Sequence, residues 1–286
     1  MKVAIIGSTG QLGSDILDVF GEEALPLSHD EIEVKDITSC RRVLKGVDAV
    51  INCAAYVRVD DSEDHPEEAF MVNAIGARNV ALVCNEKRMK NVYISTDFIF
   101  DGEKEEPYHE NDNINPINIY GLSKYAGEIL TRNYCRRFYI IRSASLFGSK
   151  GARGKGGNFV EWMIKKASNN EIIKVVDDVV MSPTYTKDAA NIIKNIIERE
   201  LPYGIYHVTN QGYCSWFEFA KKIFEFLDID AKLLPIKSDE LNRKARRPKF
   251  SALESTKLNN FGLRMRSWED ALADYLREKG YYKIIG

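Results

Sequence analysis

Short apolar runs rich in valine and isoleucine alternate with segments of helical periodicity through the first half of the chain. Five of these runs have the length and composition of buried strands: residues 3–6, 24–27, 49–53, 92–95 and 139–142. Strands that alternate with helix-length segments are typical of βα units, whose strands pair in a parallel sheet. The pattern therefore predicts an α/β fold with a Rossmann-type, doubly wound parallel sheet.

One segment between the predicted strands is a single long helical pattern. It runs from Pro66 to Arg88, and a proline suits the first turn of a helix. Small and apolar residues recur along it at helical spacing, at Phe70, Ala74, Ala77 and Ala81. We expect one continuous helix over residues 66–88.

The pattern changes after Phe147. Residues 148–157 contain five glycines and three cations without apolar periodicity, which predicts a mobile loop. The basic part, residues 150–157, suits either a cover for a diphosphate or a solvated surface loop. Further helices are expected near residues 159–167 and 216–227, with strands near 172–176 and 206–208.

These patterns predict two regions. Residues 1–147 and 182–210 are expected to form a dinucleotide-binding Rossmann domain, because residues 183–200 look like a return into the sheet. Residues 148–181 and 211–286 are expected to form a smaller, discontinuous C-terminal domain that binds the substrate.

A glycine-rich turn lies between the first predicted strand and a helix that begins near Gln11. The turn reads Gly-Ser-Thr-Gly-Gln-Leu-Gly, from Gly7 to Gly13. Glycines at this spacing let the backbone turn tightly and approach a pyrophosphate, which binds the free N–H groups of the helix N-terminus. The turn predicts a dinucleotide site that includes Gly7, Thr9, Gly10 and Gly13.

The end of the second predicted strand bears on the choice of cofactor. Folds that bind NAD often place a carboxylate there, about 20 residues beyond the glycines, to bond the ribose hydroxyls. Ser28 stands at this position, with no arginine beside it, so NADP(H) and NAD(H) both stay open. Asp36 and Ile37, at the end of the next extended stretch, are candidates for contact with the adenine. The alternative for Asp36 is the start of a helix.

Tyr120 and Lys124 are spaced so that their side chains share one face of a helix. A ketone that accepts a hydride needs a proton on its oxygen, and a tyrosine with an ordinary pKa of about 10 is a poor donor at neutral pH. The Lys124 ammonium is expected to lower that pKa and to bond the nicotinamide ribose. Thr96, at the end of the fourth predicted strand, can hold the carbonyl oxygen. Tyr275 and Lys279 have the same spacing within an ordinary C-terminal helix pattern, so the spacing alone proves little. The strand end at Thr96 that precedes Tyr120 distinguishes the first pair from the second.

Composition narrows the class of partner. The chain has 286 residues with 40 basic and 42 acidic side chains, and its net charge of −2 gives no electrostatic case for nucleic acid. No segment has the apolar length of a signal peptide or a membrane span. The five cysteines are widely spaced and the four histidines show no ligand spacing, so we expect no metal. A cytoplasmic enzyme with a small-molecule partner fits best, and a homodimer is allowed.

Beyond these features, the chain resembles the dTDP-4-dehydrorhamnose reductases of the extended short-chain dehydrogenase/reductase superfamily. The matching motifs run almost end to end: residues 7–13, 51–56, 59–60, 95–102, 116–128, 157–159, 182–184 and 247–248. The resemblance implies a catalytic group of Thr96, Tyr120 and Lys124. It implies that the dinucleotide is lined by Gly10, Gln11, Leu12, Asp36, Ile37, Ala54, Ala55 and Tyr56. For the sugar it points to Asp60, Thr96, Asp97, Phe98, Ser145, Asn158 and Arg247.

Several departures from the family pattern cluster where the family contacts its sugar. Phe98 replaces a tyrosine and so removes a hydroxyl donor, and Ser145 replaces a tryptophan that forms an apolar wall. Val179 and Met181 replace a glutamine and a glycine. The expected reaction is NAD(P)H-dependent reduction of a nucleotide-linked 4-keto-6-deoxysugar, with dTDP-4-dehydrorhamnose as the leading substrate and a related deoxysugar ketone as an alternative.

Two other functions stay open on the sequence. An epimerase or 4,6-dehydratase of the same superfamily needs an extra acid and base, for which Asp97 is available but Phe98 replaces the glutamate that the dehydratases have. The chain also resembles the regulatory subunit of methionine adenosyltransferase, a non-catalytic binding subunit. The intact set of Thr96, Tyr120 and Lys124 weighs against that reading without deciding it.

Overall fold

The computed structural model describes residues 1–150 and 157–281. In chain order the strands are β1 (Val3–Ile6), β2 (Ala24–Leu27), β3 (Ala49–Asn52), β4 (Lys90–Thr96), β5 (Phe138–Ser143), β6 (Leu146–Phe147), β7 (Ile173–Val176), β8 (Val180–Met181), β9 (Thr184–Tyr185), β10 (Gly204–His207), β11 (Cys214–Ser215) and β12 (Leu233–Ile236). The helices are α1 (Gln11–Phe20), α2 (Ile37–Val43), α3 (Val59–Asp64), α4 (Pro66–Phe70), α5 (Ala77–Glu86), α6 (Ile119–Tyr134), α7 (Phe159–Ser168), α8 (Thr186–Glu198), α9 (Trp216–Leu227), α10 (Thr256–Asn260) and α11 (Trp268–Glu278).

Six of these strands form one central sheet in the order β10-β5-β4-β3-β1-β2, and every pair in it is parallel. Alternate residues of β1 show why its sequence is apolar throughout. Val3 and Ile5 pack into a cluster with residues of α1 and α8, whereas Ala4 and Ile6 pack on the opposite face with residues of α5. Helices therefore cover both faces, and the predicted Rossmann-type fold is confirmed.

The chain reverses its direction of winding beside β1. Strand β2 lies on one side of β1 and β3 on the other, so the loops that follow β1 and β3 diverge at this point. In open parallel sheets, ligands bind in the crevice at the carboxyl ends of the strands where this reversal occurs. The glycine turn follows β1 directly, at that crevice.

The prediction of one continuous helix over residues 66–88 is wrong in the middle of that range. A π-helical segment, Met71–Gly76, separates α4 from α5. It contains Asn73, whose buried side chain bonds the backbone of Tyr56 and the hydroxyl of Ser123. A wider turn of this kind is rare, costs regular hydrogen bonding and is frequent at functional sites.

A second apolar cluster lies beside the sheet. It joins α7, α9 and α11 with short strands, and its centre is aromatic: Phe147 stacks on Tyr185 with ring centroids 5.5 Å apart, and Tyr275 meets Phe147 edge-on at the same distance. The predicted helices near 159–167 and 216–227 and the strand near 172–176 belong to this cluster. Leu258 packs with the sheet cluster instead. The two-domain division itself stays a prediction.

The expected basic loop lies largely outside the described residues, since 151–156 are not among them. Within residues 1–150 and 157–281, no helix has the length and apolar character needed to cross a membrane. The same part of the chain contains no cluster of His, Cys, Asp and Glu side chains that could hold a metal ion. All five cysteines are free thiols.

Candidate functional site

The glycine turn has the geometry that a dinucleotide site needs. Gly7 adopts φ +76°, a left-handed conformation that favours glycine, and a Cβ on Gly13 would lie 2.2 Å from the Gly7 carbonyl oxygen. Helix α1 starts after Gly10 without a side-chain cap, so the N–H groups of its first turn face the crevice. Gln11 donates to the Leu146 carbonyl at 3.1 Å, which ties the helix start to the first residue of β6. These residues fit the pyrophosphate of a dinucleotide.

The end of β2 differs from the expectation. We expected no carboxylate here, and that expectation is wrong because a tight turn brings Glu31 back to Ser28. The Ser28 backbone N–H donates to Glu31 Oε2 at 2.6 Å, and its hydroxyl bonds the same carboxylate. These bonds lower the pKa of Glu31, so a negative charge stands beside Ser28 at neutral pH. The serine three residues before a glutamate was the signal that sequence reasoning missed.

The remaining predicted cofactor residues lie around the crevice. Asp36 caps α2 by accepting from the Thr38 N–H at 2.8 Å, which is the helix-start alternative left open by the sequence. The Tyr56 backbone N–H donates to Asn73 at 2.8 Å. Asn73 was not among the predicted residues, although it links the segment that includes Ala54, Ala55 and Tyr56 to α6 through the Ser123 hydroxyl. The π-helical turn was not visible as a periodicity change.

Tyr120 and Thr96 come together at the carboxyl end of β4. Helix α6 packs tightly here, since a Cβ on Gly121 would lie 2.0 Å from the Phe98 carbonyl oxygen. Burial raises the pKa of Tyr120 to about 12, against a hydrogen bond with Thr96 that lowers it. The Phe98 ring meets the Tyr120 ring edge-on, with centroids 5.7 Å apart. Tyr120 therefore keeps its proton and presents it beside the Thr96 hydroxyl.

Lys124 is buried one helical turn beyond Tyr120. Its ammonium donates to the Ile94 carbonyl at 2.5 Å and lies 4.3 Å from the centre of the Tyr93 ring. Burial lowers the pKa of Lys124 to about 7, and the charge of Glu128 counteracts that shift. The expected lowering of the Tyr120 pKa by Lys124 is not present in this structure, because the ammonium points to the backbone of β4.

Of the predicted sugar-binding residues, Asp60 and Arg247 form a bidentate ion pair. Arg247 Nη1 and Nη2 donate to the two Asp60 carboxylate oxygens at 2.5 and 2.7 Å. The Arg247 hydrogen bond lowers the pKa of Asp60 to about 2, against a smaller opposing effect of burial. The pair lies near the start of α6, where Asn118 donates to the Arg246 carbonyl at 2.8 Å.

Other predicted sugar contacts are occupied by the protein itself. Asn158 is buried as the cap of α7, where it accepts from the Glu161 N–H and donates to the Gly148 carbonyl and the Tyr275 hydroxyl. Asp97 is buried beneath Thr96 and bonds Ser251, a residue the sequence did not single out. Ser145 adopts φ +43° at the strand end before β6.

The family model described as the RmlD substrate binding domain matches residues 1–280. The chain belongs to this family. It is 37% identical to the spore coat polysaccharide biosynthesis protein SpsK of Bacillus subtilis, across 97% of this chain and 98% of that protein. It is 35% identical to a dTDP-4-dehydrorhamnose reductase of Mycolicibacterium smegmatis, across 96% of this chain and 84% of that protein.

Solved structures agree with this family assignment. A dTDP-4-dehydrorhamnose reductase of Bacillus anthracis, solved in complex with NADP, superposes with a TM-score of 0.92 at 40% identity, covering 97% of this chain and all of the other. A dTDP-glucose 4,6-dehydratase of Streptomyces venezuelae, 18% identical, superposes with a TM-score of 0.82 and shares the fold. The predicted family resemblance is confirmed.

Proposed function

We propose that this chain is an NAD(P)H-dependent oxidoreductase that reduces a nucleotide-linked 4-keto-6-deoxysugar, with dTDP-4-dehydrorhamnose as substrate and dTDP-rhamnose as product. The observation that carries the proposal is that the Tyr120 phenol lies beside the Thr96 hydroxyl at the carboxyl end of β4, next to the crevice that the glycine turn opens. The Mycolicibacterium smegmatis and Bacillus anthracis relatives are named for this activity.

The chain's own residues supply the proton and the orientation. The nicotinamide supplies the hydride when it is bound. Tyr120 gives its phenolic proton to the ketone oxygen as the carbonyl carbon becomes an alcohol carbon, and Thr96 holds that oxygen in reach. Burial raises the pKa of Tyr120 to about 12, so the phenol keeps its proton until hydride addition makes the ketone oxygen an alkoxide, which is a stronger base than the tyrosinate. Lys124 lies on the same helix face with its ammonium on the Ile94 carbonyl, and the proposal is that it turns toward the crevice to bond the nicotinamide ribose when the cofactor binds.

Both cofactor forms are proposed to bind. The uncapped start of α1 and the left-handed Gly7 favour a pyrophosphate of either form. The Bacillus anthracis relative was solved with NADP, which favours NADPH. The Glu31 carboxylate beside Ser28 repels a 2′-phosphate and bonds a free ribose hydroxyl, which favours NADH. We expect NADPH to be accepted and NADH to be used at least weakly, and titration of each cofactor checks this expectation.

The other partners and the location are part of the proposal. A nucleotide sugar is the small-molecule partner, and five free thiols are consistent with a reducing cytoplasm. A homodimer stays a prediction, which the mass of the protein in solution decides by light scattering.

The decisive experiment is a panel of nucleotide sugars incubated with the protein and NADPH, read by the loss of NADPH absorbance. The expected result is turnover of dTDP-4-dehydrorhamnose with formation of dTDP-rhamnose. Tyr120→Phe is the matched control, because it removes the proton donor and leaves the glycine turn intact. We expect kcat to fall about 100-fold or more with cofactor affinity nearly unchanged. Failure of the wild-type chain on every 4-ketosugar would leave a binding subunit as the better reading.

A further inference from the structure

Asp97 is a buried carboxylate with a full set of hydrogen-bond donors. The Thr96 hydroxyl donates to its Oδ1 at 3.0 Å, and the Ser251 hydroxyl donates to its Oδ2 at 2.6 Å. Backbone N–H groups of Asp97 and Phe98 also face it. Asp97 is only 3% exposed, so it cannot contact a sugar directly in this arrangement. It can act on the chemistry through the Thr96 hydroxyl, and its negative charge also contributes to the raised pKa of Tyr120.

The Thr96 hydroxyl has one proton, and it donates that proton in the hydrogen bond to Asp97 Oδ1. The same oxygen accepts from the Phe98 backbone N–H at 3.2 Å. A ketone oxygen has no proton to donate, so it can bond Thr96 only if the threonine donates to it. While the Thr96 hydroxyl donates its hydrogen bond to the Asp97 carboxylate, Thr96 has only lone pairs to offer the ketone. The state of Asp97 therefore decides whether Thr96 can hold the ketone.

We propose that Asp97, held in place by Ser251, is a positioning residue that turns the Thr96 hydroxyl toward the ketone oxygen. This inference rests on the proposed reductase function. When the Asp97 carboxyl is protonated, its O–H donates to Thr96 Oγ1 and the threonine proton is released toward the ketone. Tyr120 still supplies the proton that ends on the product oxygen, and Thr96 and Asp97 keep theirs, so protons balance.

The surroundings allow this switch near neutral pH. Burial raises the pKa of Asp97 to about 6, and the hydrogen bonds from Ser251 and Thr96 lower it. Among the described residues, Tyr120 from α6 is a titratable side chain whose pKa responds to the charge of Asp97, while Thr96 and Ser251 face Asp97 with hydroxyls. Because Tyr120 stays neutral until about pH 12, it does not titrate in the same range.

Ser251→Ala and Ser251→Thr form the first test. Loss of the Ser251 bond should raise the Asp97 pKa by about one unit, because that hydrogen bond stabilises the ionised carboxylate. The readout is the carboxyl carbon-13 titration of Asp97 in the ligand-free protein, and the limb of kcat against pH near 6 should shift in the same direction. Ser251→Thr keeps a hydroxyl and should restore both values. An unchanged Asp97 pKa and unchanged kcat profile in Ser251→Ala would overturn the proposal.

Asp97→Asn is the second test and does not depend on the first. With Oδ1 toward Ser251 and Nδ2 toward Thr96, the amide reproduces the donor pattern of protonated Asp97. We expect kcat within about tenfold of wild type at pH 6, no loss of rate from pH 6 to pH 8, and unchanged NADPH affinity. A uniform loss of more than about 100-fold with the wild-type pH profile would overturn the proposal. If wild type itself reduced no ketosugar, the proposed function would fail instead, while the Asp97 titration would still report the hydrogen-bond chain.

Discussion

Two bidentate arginine–carboxylate pairs lie along helix α6, and they differ in almost everything but their chemistry. Arg142 and Glu128 pair in the interior at 2.8 and 3.0 Å, with each side chain 1% exposed. Arg247 and Asp60 pair near the start of the helix, with side chains 15% and 44% exposed. The first pair is also bonded by the Ser95 hydroxyl and the Glu110 carbonyl, so little of its hydrogen-bonding capacity is unused.

The difference shows how surroundings assign a role to the same two functional groups. Removing one member of the buried pair leaves the other charge unpaired in the protein interior, where water cannot solvate it. Water can solvate Asp60 if Arg247 leaves, so the outer pair can open to a phosphate at low cost. The buried pair thus belongs to the framework under Lys124, whereas a substrate role for the outer pair stays a prediction that its partial exposure allows.

The largest expected effect comes from breaking the buried pair. Arg142→Met should lower the free energy of unfolding by about 3–5 kcal/mol, because Glu128 is left charged and unpaired in the interior. Urea unfolding measures this loss. Arg247→Met is the matched control and should cost less than about 1 kcal/mol. Equal losses in the two variants would remove the distinction between the pairs.

The charge of Arg142 also acts on a buried histidine. Burial, with Arg142, lowers the pKa of His207 to about 3. An unfolded histidine binds a proton below about pH 6.5, so His207 makes the fold less stable as pH falls from 6.5 toward 3. Asp97 has the opposite effect on stability. Its pKa is raised in the folded protein, so between about pH 6 and pH 3.8 the folded state binds a proton that the unfolded state does not, and the fold becomes more stable as the pH falls.

Unfolding midpoints at pH 8 and pH 5 separate these two groups. Between pH 8 and pH 5, the free energy of unfolding of Asp97→Asn should fall by about 1 kcal/mol more than that of wild type. The variant lacks the carboxyl whose proton uptake stabilises the folded protein in acid. Over the same range, the free energy of unfolding of His207→Gln should fall by about 2 kcal/mol less than that of wild type, because the unfolded variant has no histidine at this position to take up a proton. Shifts of the same sign in both variants would contradict the assigned pKa directions.

The outer pair has a smaller, ligand-dependent effect. Arg247→Met should raise the KM for the nucleotide sugar about tenfold, or about 1.4 kcal/mol, with NADPH affinity unchanged. Steady-state kinetics with each substrate varied in turn gives both numbers. A normal sugar KM in this variant would show that Arg247 only holds Asp60.

The smallest change concerns the two family departures in the pocket. Restoring the hydroxyl and the wall with Phe98→Tyr and Ser145→Trp should leave the KM for dTDP-4-dehydrorhamnose unchanged or lower it up to about fivefold, since one hydrogen bond contributes about 1 kcal/mol. The comparison is the same kinetic assay on wild type. Loss of activity on the best sugar found in the panel would indicate a pocket shaped for a different sugar, with the reductase chemistry retained.

Local pattern determined much of this protein without any structure. The strand runs around residues 3–6 and 139–142 need no partner to be recognised, because a strand buried on both faces is apolar throughout. The glycine turn from Gly7 to Gly13 is equally local, since a tight turn and close approach of backbone demand glycine where they occur. Family motifs added Thr96, Tyr120 and Lys124, whose catalytic roles stay predictions.

Only tertiary structure decided what depends on residues far apart in the chain. Ser251 reaches Asp97 across more than half the sequence, and no spacing rule connects them. The π-helical turn at Met71–Gly76 contains Asn73, which bonds two other segments, and periodicity does not encode those bonds. The directions of the Tyr120 and Lys124 pKa shifts likewise follow from burial, a property of the packed fold rather than of the motif. Sequence specifies which groups are present, and packing determines which of them water can reach.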